Sequence, residues 1–330
     1  MGAARTGWAV RHDRTRERAS QAGAEFPIGA NTIAGLAYGV IRDLVASLRS
    51  RQWTKNLLVF AGLIFSQNLH RPALVGRVAL TFVIFCALSS SMYLVNDVLD
   101  VERDRAHPQK RDRPIASGRL RPGLALGTAG GLLALGVVGA FALSGRLGVV
   151  ALAYAGLLTA YSAGLKHVVI LDALIIAAGF VLRALAGVVV IDAEFSHWLL
   201  LCTILLALFL TFGKRRHELL VLEAGAADHR PILSEYSPQL LDQMIAVVTA
   251  TTLMAYALYT VSPETAARLG TPWLPLTFPF VLYGTFRYLY LMYRRDLGGN
   301  PSEHLLTDRA LLIDVALWAA TVVALLYTAR

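Results

Sequence analysis

The chain has 330 residues, of which 56% are hydrophobic and only 16% are charged, and its mean hydropathy is +0.55. A soluble globular protein carries roughly 25% charged residues. This composition therefore excludes an ordinary soluble domain and indicates a polytopic membrane protein. The formal net charge is +9, and much of the positive charge lies in loops between apolar segments.

Residues 1–32 alternate small and charged residues without a periodic apolar face. Such a segment buries too little apolar surface to offset the entropy lost on ordering, so we predict a disordered, basic N-terminal tail. It contains no apolar core of the kind found in signal peptides. The remainder, residues 33–330, is predicted to be a single membrane domain. Its two cysteines, Cys86 and Cys202, lie in apolar runs, which favours buried thiols over a disulfide or a metal site.

Nine segments of the chain approach the length of a bilayer-spanning helix, which needs about 20 mostly apolar residues. These predicted spans cover residues 56–70, 74–96, 122–143, 146–163, 168–191, 197–213, 238–262, 272–292 and 309–328. The pattern predicts an all-α fold with about nine transmembrane helices.

Lys and Arg residues collect in the loops at 97–121, 163–167, 214–237 and 293–308. An up-and-down arrangement of spans places these loops on the same side as the N-terminal tail, and the positive-inside rule makes that side cytoplasmic. We therefore predict an integral plasma-membrane protein whose basic face contacts anionic membrane lipids, and we expect no nucleic-acid partner.

The first of these loops opens with an acidic motif, NDVLDVERD, directly after the second predicted span. At about 100° per residue, Asp97, Asp100 and Asp104 fall on one helix face within roughly 60° of each other, and Asn96 borders that face. Such carboxylates repel each other unless a cation lies among them, and oxygen ligands favour Mg²⁺ shared with substrate phosphates. A solvated helix end with surface ion pairs is the alternative interpretation.

Cations that suit a diphosphate follow this motif, at Lys110, Arg111 and Arg113. Their presence, and the position of the carboxylates against a membrane span, favour a metal and diphosphate site. The three aspartates are thus predicted to be catalytic metal ligands. Near the start of the first predicted span, Lys55 is a candidate for binding a phosphate, although an interfacial lysine reaching towards water explains it nearly as well.

These motifs carry a resemblance to a known family. NDVLDVERD matches the Asn-Asp-x-x-Asp-x-x-x-Asp motif of the UbiA superfamily of intramembrane prenyltransferases, and HPQKRDRPIASG resembles the segment after it. Three further stretches resemble the decaprenyl-phosphate phosphoribosyltransferase branch: RQWTKNLLVFAGL, AYSAGLKHVVILDALIIAAGFVLRALAG and GKRRHELLVLEAGAADHRPILSEYS. The resemblance covers nearly all of residues 48–328. It implies a helical barrel with a central cavity on the cytoplasmic side.

One departure from the wider superfamily bears on the substrate. Its members usually have a second Asp-rich motif after the sixth span, which helps to bind a second Mg²⁺ on a prenyl diphosphate. This chain has Lys214, Arg215 and Arg216 at that place, with Glu218 in a different spacing. The resemblance therefore implies that phosphoribosyl pyrophosphate is the donor and a polyprenyl phosphate the acceptor. We predict that Lys214 and Arg215 contact phosphate, next to Glu218.

The ends of the fourth and fifth spans supply further candidates. The superfamily often has Tyr-x-x-x-Lys here, and this chain has one residue more between Tyr161 and Lys166. Lys166 is predicted to bind a substrate phosphate, with a positive-inside anchor as the alternative, and Tyr161 is either a substrate contact or an interfacial ring. Asp172 is predicted to be a further ligand or to orient Lys166. Arg183 lies roughly 16 Å deeper, which favours a structural pairing or a role at the outer membrane interface.

The predicted function is Mg²⁺-dependent transfer of 5-phosphoribose to a polyprenyl phosphate, with inversion at C1 of the sugar. The resemblance implies a role in supplying precursors of a cell-envelope polysaccharide. Two alternatives stay open: a UbiA-type prenyltransferase that moves an isoprenoid to an aromatic acceptor, and a non-catalytic lipid-binding or transport protein. The length of the lipid and the oligomeric state, including a homo-oligomer, are also left open.

Overall fold

A computed structural model describes residues 30–108, 110–194, 197–222, 231–294 and 307–328. Helices make up nearly all of these residues, and no β-strand occurs among them. The predicted all-α class is therefore confirmed. Residues 1–29, and with them most of the predicted tail, lie outside the described residues. The division between residues 32 and 33 stays a prediction, and the chain from Arg42 onwards forms one compact unit.

The described residues contain twelve α-helices, numbered here in chain order. They are α1 Ala30–Ser47, α2 Ala61–Phe65, α3 Pro72–Leu99, α4 Val101–Ala106, α5 Pro122–Leu143, α6 Gly145–Ala163, α7 Leu171–Val189, α8 His197–Leu222, α9 Pro238–Val261, α10 Pro263–Leu269, α11 Phe278–Arg294 and α12 Arg309–Thr328. Short 3₁₀ helices cover Ser50–Phe60, Leu165–His167, Pro231–Glu235 and Leu274–Thr277.

Six of the described helices are long and apolar enough to cross a membrane, namely α3, α5, α6, α7, α9 and α12. Each coincides with a predicted span, and the chain is an integral multi-pass membrane protein. The first predicted span differs, because residues 56–70 fall on the end of the Ser50–Phe60 helix and on the five-residue α2. The sixth and eighth predicted spans lie on α8 and α11. The total of nine spans stays a prediction.

The long helices pack in sequence, α3 on α5, α5 on α6, α6 on α7, α7 on α8 and α8 on α9, while α11 packs on α12. One apolar core joins the Ser50–Phe60 helix to α3, α6 and α7 around Phe85 and Tyr154. Another joins α8, α9 and α11 around Phe209 and Tyr288. Large apolar side chains are also exposed on the outside of these helices, as contact with lipid requires.

The Ser50–Phe60 helix lies directly against α7, and glycine makes this contact possible. A Cβ atom at Gly187 would lie 1.8 Å from the backbone oxygen of Val59, which is nearer than any side chain tolerates. A Cβ atom at Gly62 would lie 2.8 Å from Cγ2 of Val188. The two backbones therefore touch, and residues on the Ser50–Phe60 helix can reach polar side chains of α7.

The loop after the acidic motif is fixed to the ends of α3 and α5. Ile115 and Leu120 are buried in one apolar cluster with Leu94 and Ala125. The backbone N–H of Leu120 donates to the carbonyl oxygen of Pro114 over 2.8 Å. Because the loop is anchored in this way, Arg113 is held next to the acidic motif.

Candidate active site

The acidic motif spans a junction between two helices. Helix α3 ends at Leu99, Asp100 has φ −98° and ψ 10°, and α4 begins at Val101. Backbone hydrogen bonds from Asp100 to Asn96 (2.9 Å) and from Asp104 to Asp100 (2.8 Å) bridge the junction. Asp97 and Asp104 are both buried. Asp97 and Asp104 therefore lie close to each other across the junction of the two helices.

Asp97 and Asp104 face one shared cation. Nη1 of Arg113 lies 3.1 Å from Oδ1 of Asp97 and 2.6 Å from Oδ2 of Asp104. Burial raises the pKa of Asp104, the Arg113 guanidinium opposes that rise, and the neighbouring Asp97 carboxylate adds to it. The charge of Lys110, in the same loop as Arg111, also lowers the pKa of Asp104. Two buried carboxylates thus depend on positive charge placed between them.

Asp100 has a different partner. Nζ of Lys166 lies 2.6 Å from Oδ1 of Asp100, and Lys166 is buried in the short 3₁₀ helix after α6. Nη1 of Arg103 lies 3.8 Å from the same oxygen. Close by, Oγ of Ser162 donates to Oδ1 of Asn96 over 3.4 Å. The end of α6 and the end of α3 are therefore joined through the residues predicted to bind substrate.

Asp172 forms a second, buried network with other partners than predicted. Its side chain is fully buried, Oδ2 accepts a hydrogen bond from Nε of Arg215 at 2.8 Å, and Oδ1 accepts one from the hydroxyl of Tyr236 at 3.1 Å. The hydroxyl of Tyr236 also lies 2.7 Å from the backbone nitrogen of Ile170. Its contact with Arg215 gives Asp172 a partner that the sequence did not predict, and its role as a further ligand or as an orienter of Lys166 stays a prediction.

Arg215 lies inside the protein, with 1% of its surface exposed. Its Nη1 contacts Oε2 of Glu218 at 2.8 Å, and its Nη2 lies 3.5 Å from the hydroxyl of Tyr161. Lys214 is more exposed and lies 3.8 Å from Oε1 of Glu218. The arrangement favours a positioning role for Arg215 over the predicted phosphate contact, because Asp172 and Glu218 already hold it. Phosphate binding by Lys214 stays a prediction.

Arg183 is a buried cation whose hydrogen-bond acceptors are all uncharged. Nε donates to Oδ1 of Asn56 at 2.7 Å, Nη1 to the carbonyl oxygen of Gly179 at 2.8 Å, and Nη2 to the hydroxyl of Tyr154 at 2.6 Å. The guanidinium also lies over the rings of Tyr154 and Phe180. Arg183 therefore has structural partners, and none of its hydrogen-bond partners among the described residues is a carboxylate.

Lys55 is the predicted phosphate-binding residue at the start of the chain's first apolar segment. Burial and the charges of Arg183 and Arg49 lower the pKa of Lys55 to about 8. Its neighbour Asn56 is fully buried and donates to Oγ of Ser89 over 3.2 Å. The two charged groups that act on Lys55 are thus both cations.

Arg49 is a site residue that the sequence analysis did not single out. Its Nη2 contacts Oδ1 of Asp97, and its guanidinium lies 5.1 Å from the centre of the Tyr93 ring. Its backbone has φ 53° and ψ 52°, a left-handed conformation that is uncommon outside glycine. Arg49 is one of many arginines in the sequence. Its position alone therefore did not predict its contact with the acidic motif.

The carboxylate oxygens of the acidic motif are its candidate ligands for Mg²⁺. In the described part of the chain, no group of three His, Cys, Asp or Glu side chains converges as a metal site. Asp97 and Asp104 nevertheless present buried oxygen donors to one positive group, Nη1 of Arg113. Mg²⁺ prefers such oxygen ligands and keeps several positions for water and phosphate. This pair fits the ion, whereas Asp100 is bound to Lys166.

Known proteins share the sequence and the fold. A sequence model of the UbiA prenyltransferase family matches residues 56–303. A decaprenyl-phosphate phosphoribosyltransferase of Mycolicibacterium smegmatis is 34% identical over 313 residues, which cover 90% of this chain and 96% of that protein. A protein of the same name from Corynebacterium glutamicum is 35% identical over 293 residues, 86% of each chain.

The fold is also that of a solved structure. A UbiA homologue from Archaeoglobus fulgidus, bound to DMAPP and Mg²⁺, matches with a TM-score of 0.66 at 19% sequence identity, over 86% of this chain and 99% of that one. At this low identity the likeness shows the fold alone, and it agrees with the match of the family model over three quarters of the chain. The chain therefore belongs to the UbiA prenyltransferase family.

Proposed function

We propose that this membrane transferase moves the 5-phosphoribosyl group from phosphoribosyl pyrophosphate to a polyprenyl phosphate of the decaprenyl type. The name of two relatives that match most of the chain at 34% and 35% identity supports this substrate pair. The site supports it independently, because buried carboxylates alternate with cations at the end of α3. Such a surface suits a diphosphate that arrives with a divalent metal ion.

The observation that carries the proposal is the cation that Asp97 and Asp104 share. Arg113 contacts both carboxylates, at 3.1 and 2.6 Å, so both already face a position of positive charge. We propose Asp97 and Asp104 as the residues that would hold Mg²⁺, an ion that is bound in the Archaeoglobus structure. When bound, the ion would neutralise charge on the departing diphosphate as a Lewis acid. Arg113 would then be free to contact the diphosphate.

In the proposed reaction, the bond between C1 of ribose and the diphosphate oxygen breaks, and its electron pair leaves with the diphosphate. An oxygen of the acceptor phosphate forms the new bond to C1 from the opposite face. The acceptor phosphate is already ionised near neutral pH, so it needs positioning more than a general base. Lys166, next to Asp100, would stabilise the negative charge that builds on the leaving diphosphate.

The carboxyl-terminal part of α8 supports the choice of donor. Its cations occupy the place where the wider superfamily has a second acidic motif, and in this structure they are paired with carboxylates. Besides the pairs of Lys214 and Arg215 with Glu218, Nε of Arg216 lies 2.5 Å from Oδ1 of Asp242. A second metal-binding cluster is therefore a poor fit to these residues, and a donor held at one acidic motif is the better match.

We also propose that the site opens to the cytoplasm and that the product serves cell-envelope synthesis. The distribution of Lys and Arg supports this orientation by the positive-inside rule. The donor is a water-soluble sugar phosphate, so a cytoplasmic opening gives it access. The acceptor would reach the same site from the surrounding bilayer, which its lipid tail does not leave.

The test is turnover of the detergent-purified protein with Mg²⁺ and radiolabelled substrates. One reaction receives labelled phosphoribosyl pyrophosphate and polyprenyl phosphate, and the other labelled prenyl diphosphate and 4-hydroxybenzoate. We expect label in the lipid product of the first reaction only, and its loss on treatment with a chelator. Transfer in the second reaction only would replace the proposal by a prenyltransferase. No transfer by a folded protein in either would favour a lipid-binding or transport role.

A further inference from the structure

The backbone between Lys166 and Asp172 contains a strained turn at Ile170. Its φ is 66° and its ψ is −43°, and the backbone N–H of Leu171 donates to the carbonyl oxygen of Val169 over 2.7 Å. A γ-turn of this hand is rare and strained. A positive φ is especially unfavourable for a β-branched residue such as isoleucine. Such a conformation persists only where the surrounding structure holds it.

The hydroxyl of Tyr236 holds this turn. Ile170 contributes little through its own side chain, because 42% of the residue is exposed. Its backbone N–H, at the start of α7, donates to the Tyr236 hydroxyl over 2.7 Å. The hydroxyl in turn donates to Oδ1 of Asp172 at 3.1 Å. A phenol has only one hydrogen to donate, so the carboxylate of Asp172 takes it and leaves an oxygen lone pair for Ile170.

Tyr236 is itself fixed in position. Its side chain and that of Ile232 are buried in the apolar core of α8 and α9, and Val169 packs against the same core. The 3₁₀ helix Pro231–Glu235, which precedes Tyr236, also packs on the 3₁₀ helix Leu165–His167. The chain that leads into α9 therefore supports the segment that leads into the turn.

Lys166 lies in the short 3₁₀ helix just before the turn. Its buried ammonium group lies 2.6 Å from Oδ1 of Asp100. The backbone N–H of His167 bonds to the carbonyl oxygen of Gly164 at 3.0 Å, which joins this helix to the end of α6. On its other side the chain enters α7 through Ile170. Relaxation of Ile170 to a negative φ would change the direction of the chain and move Lys166 relative to Asp100.

We propose that Tyr236 is a positioning residue for the transfer reaction: its hydroxyl holds the strained turn at Ile170 and thereby keeps the ammonium group of Lys166 at Asp100. The inference rests on the proposed function, in which Lys166 stabilises charge on the leaving diphosphate. Tyr236 acts through Lys166 and not on the substrate, since its hydroxyl is engaged by Ile170 and Asp172. A simple anchor for the chain before α9 would affect stability without a selective effect on Lys166.

Steady-state transfer by the full-length protein tests this role with Tyr236→Phe, which keeps the ring and removes only the hydroxyl. We expect kcat/KM for phosphoribosyl pyrophosphate to fall about tenfold, and KM for polyprenyl phosphate to stay within about twofold of the wild type. The matched control is Tyr256→Phe, which removes another buried hydroxyl, bonded to Thr277 and Trp318. This control should leave both kinetic constants unchanged.

Two double variants separate positioning from anchoring. Glycine adopts a positive φ without steric cost, so Ile170→Gly removes the need to hold the turn. Combined with Tyr236→Phe, it should regain about threefold or more of the lost kcat/KM. Combined with Lys166→Met, Tyr236→Phe should cause no further loss, because both changes act through the same ammonium group.

The reactivity of Lys166 tests the same role without turnover. Acetic anhydride labels amines, and mass spectrometry gives the labelling rate of Lys166 relative to that of Lys110 in the same folded sample. We expect this ratio to rise about threefold or more in Tyr236→Phe and to return towards the wild type when Ile170→Gly is added. If the ratio changes in this way but the wild type transfers no phosphoribosyl label, the proposed function fails and the positioning role stands.

Two results would overturn the positioning role. One is that Tyr236→Phe keeps both the kcat/KM for the donor and the labelling ratio of Lys166 at the wild-type values. The other is that Tyr236→Phe with Ile170→Gly is as impaired as Tyr236→Phe alone, which would make Tyr236 an anchor that does not act through the turn.

Discussion

The acidic motif and the cations Lys55 and Arg183 handle charge in opposite ways. In the acidic motif every aspartate has a basic partner within the protein, Arg113 and Arg49 for Asp97, Arg113 for Asp104 and Lys166 for Asp100. The hydrogen bonds of Arg183 go to neutral groups, and the charges that act on Lys55 are positive. One region is balanced by its own side chains, and the other has a surplus of positive charge.

The difference separates two ways of recognising phosphate. In a region with paired charges, a metal ion can take the place of the internal cations, because each aspartate oxygen becomes available as a ligand when its basic partner moves. The displaced cations can then contact the diphosphate. A region with surplus positive charge binds an anion directly and gains most when that anion carries no metal. The comparison therefore predicts that substitutions in the two regions affect different substrates.

The largest effect is expected for Asp97→Asn. The change removes the carboxylate that Arg49 and Arg113 share and that we propose as a metal ligand. We expect phosphoribosyl transfer to fall by about 1,000-fold or more, since metal-assisted charge stabilisation is worth several kcal/mol. The measurement is label transfer to the lipid under saturating Mg²⁺. Glu102→Gln is the control, because that side chain is 79% exposed and pairs with Arg105; equal losses in both variants would contradict the assignment.

A second prediction concerns the buried network that supports the site. Asp172→Asn leaves Arg215 buried without its full counter-charge. Breaking a buried ion pair in this way costs roughly 3 kcal/mol, and we expect a clear fall in the midpoint of thermal unfolding. The double variant Asp172→Leu with Arg215→Met removes both charges and should regain part of the loss. If the double variant is less stable than Asp172→Asn, the pair is not an isolated structural unit.

A third prediction tests the cation at the edge of the acidic motif. Lys166→Met removes the ammonium group that lies 2.6 Å from Asp100. We expect kcat/KM for phosphoribosyl pyrophosphate to fall by about 30-fold, with KM for the lipid little changed, because a charge-assisted hydrogen bond to the donor is lost. Arg103→Gln is the matched control, since its contact with Asp100 is longer, at 3.8 Å, and more exposed. A loss confined to the lipid would move Lys166 to the acceptor side.

Much of the fold could be predicted from the sequence because a membrane span is a local property. A run of apolar residues long enough to cross the bilayer identified α3, α5, α6, α7, α9 and α12. The first span could not be predicted in the same way. Residues 50–60 form a 3₁₀ helix that is held to α3 by side chains of Trp53 and Asn56, and its conformation depends on these distant contacts.

Some residues of the candidate site could also be predicted from the sequence, and others could not. Asp97, Asp104 and Arg113 could be grouped from the sequence because they lie within one short segment, and Lys166 because the family resemblance placed it at the same rim. The pairing of Asp172 with Arg215 could not, since it depends on how α7 packs against α8. Tyr236, 64 residues from Asp172, was missed for the same reason. Periodicity shows which residues share a helix face but not which helix that face meets.

The smallest effect predicted is a pH dependence that only the positively charged region should confer. The pKa of Lys55 is about 8, so its ammonium group is charged below that pH and loses its charge as the pH rises through it. The charged groups that act on Lys55 are Arg49 and Arg183. We therefore expect kcat/KM for the substrate bound by Lys55 to fall by up to about tenfold between pH 8 and pH 9.

Lys55→Arg sharpens this test, because arginine stays protonated throughout the range. The variant should keep its kcat/KM constant between pH 8 and pH 9, while Lys166→Met should retain the decline of the wild type at a lower absolute rate. The profile is measured with each substrate varied in turn under saturating amounts of the other. A decline that persists unchanged in Lys55→Arg would assign the titration to another group, and the contrast between the balanced and the positively charged region would then lose its kinetic support.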